Sequence, residues 1–204
     1  MKLYHVVTGL LRVNTYFLVN DNLEAVVIDC GENYKRVKST EQELGVKIKA
    51  VLLTHAHFDH SGCAKKLQDD GAKIYASKLD ADKLNAEGSL SANFGRKYEQ
   101  IIADSTFLDG QTIEVCGINI NVMATPGHTD GSVTFVVDRA LFTGDTLFYG
   151  SVGRTDFPTG SRNDMIASVK KLFSLNGDYQ VYPGHDEFTT LDRERKYNVM
   201  AEYD

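Results

Sequence analysis

Thr54-His55-Ala56-His57-Phe58-Asp59-His60 sets four ligand-type side chains within six positions, directly after the short apolar run 48–53. A run of that length suits a buried strand, so the cluster begins where a strand ends. His55, His57 and Asp59 alternate, and in an extended segment they would project to one side. Clustered imidazoles and carboxylates are costly to desolvate, and a divalent cation is what makes such a cluster favourable. The spacing therefore points to metal.

Working outward, five of the six histidines fall in three short segments. The other two segments are Thr125-Pro126-Gly127-His128 and Tyr182-Pro183-Gly184-His185, each at the end of an expected strand. Asp145 joins them, closing Leu141-Phe142-Thr143-Gly144-Asp145. A glycine directly precedes His128, Asp145 and His185, as expected where a strand must turn sharply to aim its next side chain over the sheet edge. Seven ligands exceed what one tetrahedral ion takes. They divide into His55, His57 and His128 around one metal and Asp59, His60 and His185 around a second, with Asp145 between. Imidazole with carboxylate suits zinc first, with iron and manganese as alternatives; no thiolate joins the set. His5 stands alone and reads as an ordinary histidine. Cys30, Cys63 and Cys116 are far apart, without a C-x-x-C, and read as buried free thiols.

Around these segments the chain alternates strands with helices. Strands are expected at 13–19, 25–28, 48–53 and 73–76, with helices at 34–44 (stopped by Gly45) and 63–70. Residues 78–104 are polar and read as a helix plus a surface excursion. Strands return at 112–116, 118–125, 132–137 and 140–143, before an amphipathic helix at 165–173 ended by Gly177 and a strand at 179–182. Two comparable halves without a linker imply a single domain over 1–204, a mixed α/β (α+β) protein of two packed sheets with helices outside.

The 204 residues are 42% hydrophobic and 25% charged, which excludes disordered and fibrous classes. A net charge of −6 makes nucleic acid a poor expectation as partner, and no apolar run is long enough to span a bilayer. The start Met1-Lys2-Leu3-Tyr4-His5 lacks the basic and apolar blocks of an export signal, so a cytoplasmic protein with a small-molecule substrate is expected. Its oligomeric state is not legible.

Beyond T-H-x-H-x-D-H at 54–60, the chain carries Gly127-His128-Thr129, Phe142-Thr143-Gly144-Asp145-Thr146, Gly153-Arg154-Thr155-Asp156 and Pro183-Gly184-His185. In that order these motifs resemble the metallo-β-lactamase fold hydrolases, most closely the short glyoxalase II-like proteins. The resemblance implies a four-layer αββα sandwich with a two-metal site at its edge. It also implies a hydroxide shared by two zinc ions attacking a thioester such as S-lactoylglutathione. Asp145 would bridge the ions, Asp59 would orient the attacking oxygen, and Arg154 would grip a substrate carboxylate through two hydrogen bonds. Full-length glyoxalase II enzymes carry a C-terminal helical domain that is not part of this sequence, so the resemblance bears on the metal site more than on the substrate. Asp130 stands where many relatives have proline. Phe148, Tyr149 and Phe157 flank Arg154 but are assigned to packing. The rival readings are a persulfide dioxygenase with a single iron on His55, His128 and Asp145, a lactone or phosphodiester hydrolase, and a metal-stabilised interaction module.

Overall fold

The computed structural model describes residues 1–202. The first half builds a six-stranded sheet in the order of the chain: β1 (Lys2–Thr8), β2 (Val13–Val19), β3 (Glu24–Ile28), β4 (Lys47–Leu52), β5 (Lys73–Ser77) and β6 (Ser105–Phe107). The second sheet contains β7 (Thr112–Val115), β8 (Ile118–Ala124), β9 (Val133–Val137), β10 (Ala140–Gly144), β13 (Gln180–Pro183) and β14 (Thr189–Thr190), in the order β14-β13-β10-β9-β8-β7. Between β10 and β13 lies a short hairpin, β11 (Leu147–Phe148) and β12 (Ser151–Val152).

Strands buried on both faces read as continuous apolar runs, and β2 shows why: all seven of its residues are buried. Tyr16 and Leu18 point into the space between the sheets, with Val26, Ile28, Leu52, Phe135 and Phe142. Phe17 and Val19 point the other way, onto α1 (Tyr34–Leu44) and α3 (Ala64–Asp69) through Val37 and Leu67. Behind the second sheet, Leu141 and Val181 pack on Met165, Val169 and Leu172 of α4 (Arg162–Phe173) and Leu191 of α5 (Leu191–Tyr197). Helix, sheet, sheet, helix is the four-layer αββα sandwich.

Local chemistry fixes the helix ends. Asn33 caps α1 by accepting from the Arg36 N–H at 3.1 Å, and Gly45 stops it in the left-handed conformation at φ 65°. Ser161 caps α4.

Several expectations are corrected. The helix expected at 63–70 is α3, but a separate short helix, α2 (Phe58–Ser61), precedes it, so Asp59 and His60 sit on a helical turn rather than in an extended loop. The 165–173 helix ends at Ser174, short of Gly177. Residues 78–104 form no α-helix, only 3₁₀ turns at Ala81–Lys83 and Ala92–Phe94. Their polar side chains compete for the backbone: Asn85 Oδ1 accepts from the Glu87 and Gly88 N–H groups, and Ser91 donates to the Ala86 carbonyl. Cys30 and Cys63 are buried thiols, but Cys116 is only half-buried, at the β7–β8 turn. Among the described residues no helix is long and apolar enough to cross a membrane.

Candidate metal centre

Four strand ends converge on one rim. The segment after β4 delivers His55 and His57, and α2 adds Asp59 and His60; His128 follows β8, Asp145 follows β10, and His185 follows β13. The structure brings all seven residues together. Three overlapping sets hold their ligand atoms within 4.8 Å of one another: His55, His57 and His128; His55, His60 and Asp145; and Asp59, His60 and His185. The first and third sets have the members of the two groups expected from the sequence, and the second joins Asp145 to one histidine of each. His5 lies apart, facing Asn14 Oδ1 at 2.8 Å.

The glycines before the ligands act for different reasons. Gly144, at φ 49°, takes a left-handed backbone, and a Cβ there would lie 2.6 Å from Thr54 Cβ. Gly184 is outside that region; it is needed because a Cβ would strike the Asp145 carboxylate and lie 2.7 Å from His60 Cε1.

Hydrogen bonds behind the ligands fix which imidazole nitrogens are bare. A carbonyl can only accept, so His128 Nδ1–H donates to the Arg154 carbonyl at 2.8 Å and His185 Nδ1–H to the Leu11 carbonyl at 3.0 Å. His60 Nδ1–H donates to Asp29 Oδ2 at 2.8 Å. The Thr54 hydroxyl donates to Asp29 at 2.7 Å, so its oxygen accepts from His55 Nδ1 at 3.1 Å. In their neutral form all four rings thus turn a bare Nε2 inward, the pattern in which an outer partner sets the tautomer of a metal-binding histidine.

The inward groups crowd one another. His60 Nε2 and His185 Nε2 approach to 3.3 Å, and His57 Nδ1 can donate to the bare His128 Nε2 at 2.8 Å. His55 Nε2 and Asp145 Oδ1 are buried without any hydrogen-bond partner. Charge is divided unevenly among the rings: burial opposes it, yet Asp145 and Asp59 raise the pKa of His60 and of His185. Burial and the neighbouring imidazoles hold His55 well below its ordinary pKa, and burial with His128 pushes His57 down to about 3. Burial opposes the charge of Asp145, yet His60, His128 and His185 hold its carboxyl well below the usual range. Ionised carboxylates with imidazole nitrogens turned inward are a donor set that fits divalent metal.

Two carboxylates that the sequence reading missed organise this set. Asp29, buried at the end of β3, ties His60 to Thr54 and thereby to His55. Asp80, also buried, accepts from the Ala56 N–H at 2.9 Å and from the Thr129 hydroxyl at 3.1 Å, linking the His55–His57 segment to the His128 segment. Lys83 bonds Asp80 at 2.8 Å and pairs with Asp130, so Asp130 serves this outer network. The available signal was a carboxylate just beyond an apolar strand, as for Asp29; nothing local marked Asp80. An Asp80→Asn variant is expected to bind metal about 10- to 100-fold more weakly, the usual effect of losing an outer partner, checked by titration against a chelator.

A cavity of about 440 Å³ opens over the cluster, lined by His57, Asp59, His128, Asp145 and His185 with Phe148 and Phe157, two aromatics the sequence reading left outside the site. Arg154 also lines it, but its guanidinium is already engaged: Nε and Nη2 each donate to Asp156 at 2.7 Å, and the group lies 3.8 Å over the Phe157 ring.

Imidazoles and carboxylates aimed from four strand ends over the edge of an αββα sandwich, with their outer nitrogens already committed, place the chain among the metal-dependent hydrolase folds. Residues 8–185 match the model of the metallo-β-lactamase superfamily, and the chain belongs to that family. The hydroxyacylglutathione hydrolase GloC of Haemophilus influenzae is 35% identical over 193 residues, 91% of each chain. Among solved structures, the BLEG-1 B3 metallo-β-lactamase aligns with a TM-score of 0.93 at 29% identity, covering 98% of this chain and 100% of the other. TTHA1623, solved in a di-iron-bound form, aligns with a TM-score of 0.86 at 32% identity, covering 96% and 98%.

Proposed function

We propose that the chain is a binuclear, zinc-type hydrolase that cleaves a small thioester of the S-lactoylglutathione kind. The observation that carries this reading is that seven ligand-type side chains gather in two groups, His55, His57 and His128 and Asp59, His60 and His185, with Asp145 between them. One cation would engage only one of the two groups. Similarity to GloC supports the thioester, and the di-iron form of TTHA1623 supports two ions.

Two divalent cations held there would acidify water at neutral pH and polarise the substrate carbonyl. The chain's own residues do the rest. His55, His57 and His128 would hold one ion and Asp59, His60 and His185 the other, with Asp145 shared. Asp59 lines the cavity and is placed to accept a hydrogen bond from the attacking water and orient it. Among the described residues lining the cavity there is no serine, threonine or cysteine, and Cys63 is buried, with its Sγ 2.9 Å from the Cys30 carbonyl. A thiol leaving group has an ordinary pKa of about 8.5 and departs without a strong general acid. Arg154 can grip a substrate carboxylate only by giving up Asp156.

The test is elemental analysis of the purified protein followed by a thioester, lactone and phosphodiester panel. About two zinc ions per chain and fastest turnover of a thioester are expected. One iron per chain, with oxygen uptake on glutathione persulfide, would overturn the reading in favour of a dioxygenase.

A further inference from the structure

The cavity has an aromatic side that the metal cluster does not account for. Phe157 stands edge-on to His57, centroids 5.8 Å apart, and 6.5 Å from His128. Phe94 continues from it at 6.3 Å and Phe58 from Phe94 at 5.3 Å, so three rings form one wall beside the His55–His57–His128 set. Leu90 lines the same cavity, in a left-handed backbone at φ 64° that costs a leucine strain. Its segment is tied to the metal-binding turn, since the Phe58 N–H donates to the Ser89 carbonyl at 2.9 Å and Ser61 bonds the Tyr98 hydroxyl at 2.7 Å. Phe94 nonetheless leaves 48% of its surface to solvent. A large ring held at the mouth of a polar site, with one face uncovered, gains by covering that face with an apolar group.

Charge points the same way. Among the described residues lining this cavity, Arg154 is the only cation other than histidine, and Asp156 already neutralises it. Its guanidinium lies flat on Phe157 and extends the wall. Asp186 adds a negative charge to the lining. Away from the metal ligands, a substrate carboxylate would meet an acid and no free side-chain cation there.

We infer that the cavity selects thioesters with an apolar, preferably aromatic, acyl group, and that Phe94 and Phe157 determine this specificity. The inference rests on the thioesterase reading and sets an apolar acyl group in place of the hydroxyacyl group of S-lactoylglutathione. A carbonyl oriented over His57 and His128 lays its acyl substituent on the wall and directs the sulfur toward His185.

The test uses the metal-replete protein and thioesters of one neutral thiol, N-acetylcysteamine, carrying acetyl, phenylacetyl or succinyl groups. The expected kcat/KM for phenylacetyl exceeds that for acetyl by about tenfold or more, the scale of apolar-pocket discrimination, with succinyl lowest. In Phe94→Ala and, separately, Phe157→Leu, the phenylacetyl-to-acetyl ratio falls several-fold. Equal rates in the parent, or a ratio unchanged in both variants, would overturn the inference. Failure to cleave any thioester would instead remove the thioesterase reading and this inference with it.

Discussion

An Asp145→Asn variant is expected to keep its fold and lose hydrolysis by about 10³-fold or more, beyond the ~10- to 100-fold attached to an outer partner. Asp145 is the one carboxylate that faces both halves of the cluster. Its Oδ1 lies 3.2 Å from His60 Nε2, and its Oδ2 lies 3.4 Å from His128 Nε2 and 3.7 Å from His185 Nε2. Asparagine matches its shape, so packing around Gly184 and Thr54 is undisturbed, but it removes the negative charge that two cations would share. It also places an N–H₂ donor where a lone pair is required. The measurements are kcat/KM on a thioester and metal per chain, with the circular dichroism spectrum confirming the fold. Wild-type activity together with wild-type metal content would refute the bridging role.

How far the sequence could be read follows from how local each cause is. The H-x-H-x-D-H cluster was legible because four ligands sit on one short segment. Strands such as 13–19 were legible because burial on both faces leaves continuous apolar runs, whereas β6 and β14, at three and two residues, are too short to leave a pattern. β1 was not, since it is an edge strand with most of its side chains exposed. Asp80 and Phe94 were opaque because their partners lie far away in sequence. Asp80 meets Ala56 and Thr129, Phe94 meets Phe58 and Phe157, and the polar stretch carrying both gives no periodic signal. Arg154 was legible as a motif, but its engagement with Asp156 depends on a turn that only the folded loop reveals.

The glycines show the same division and yield the other large effect. Gly184→Ala is expected to leave the fold intact and lower activity at least about 100-fold, with metal affinity falling in parallel, as an ångström-scale misplacement of catalytic groups does. The backbone at Gly184 lies outside the left-handed region, so alanine costs no conformational strain. Its methyl group, however, would occupy the space between the Asp145 carboxylate and His60 Cε1, and neither can retreat. His60 is held from behind by Asp29 at 2.8 Å, and the Gly184 backbone is pinned by its N–H to Gly144 O at 2.8 Å and by its carbonyl to Asn14 N at 2.7 Å. Gly45→Ala is the converse. Nothing lies within 4 Å of a Cβ there, but φ is 65°, so alanine should cost about 1 kcal/mol of stability and leave turnover unchanged. Thermal denaturation and kcat/KM on both variants would separate the effects. A Gly184→Ala protein with full metal content and full activity would mean that the ligands do not need the close approach this fold gives them.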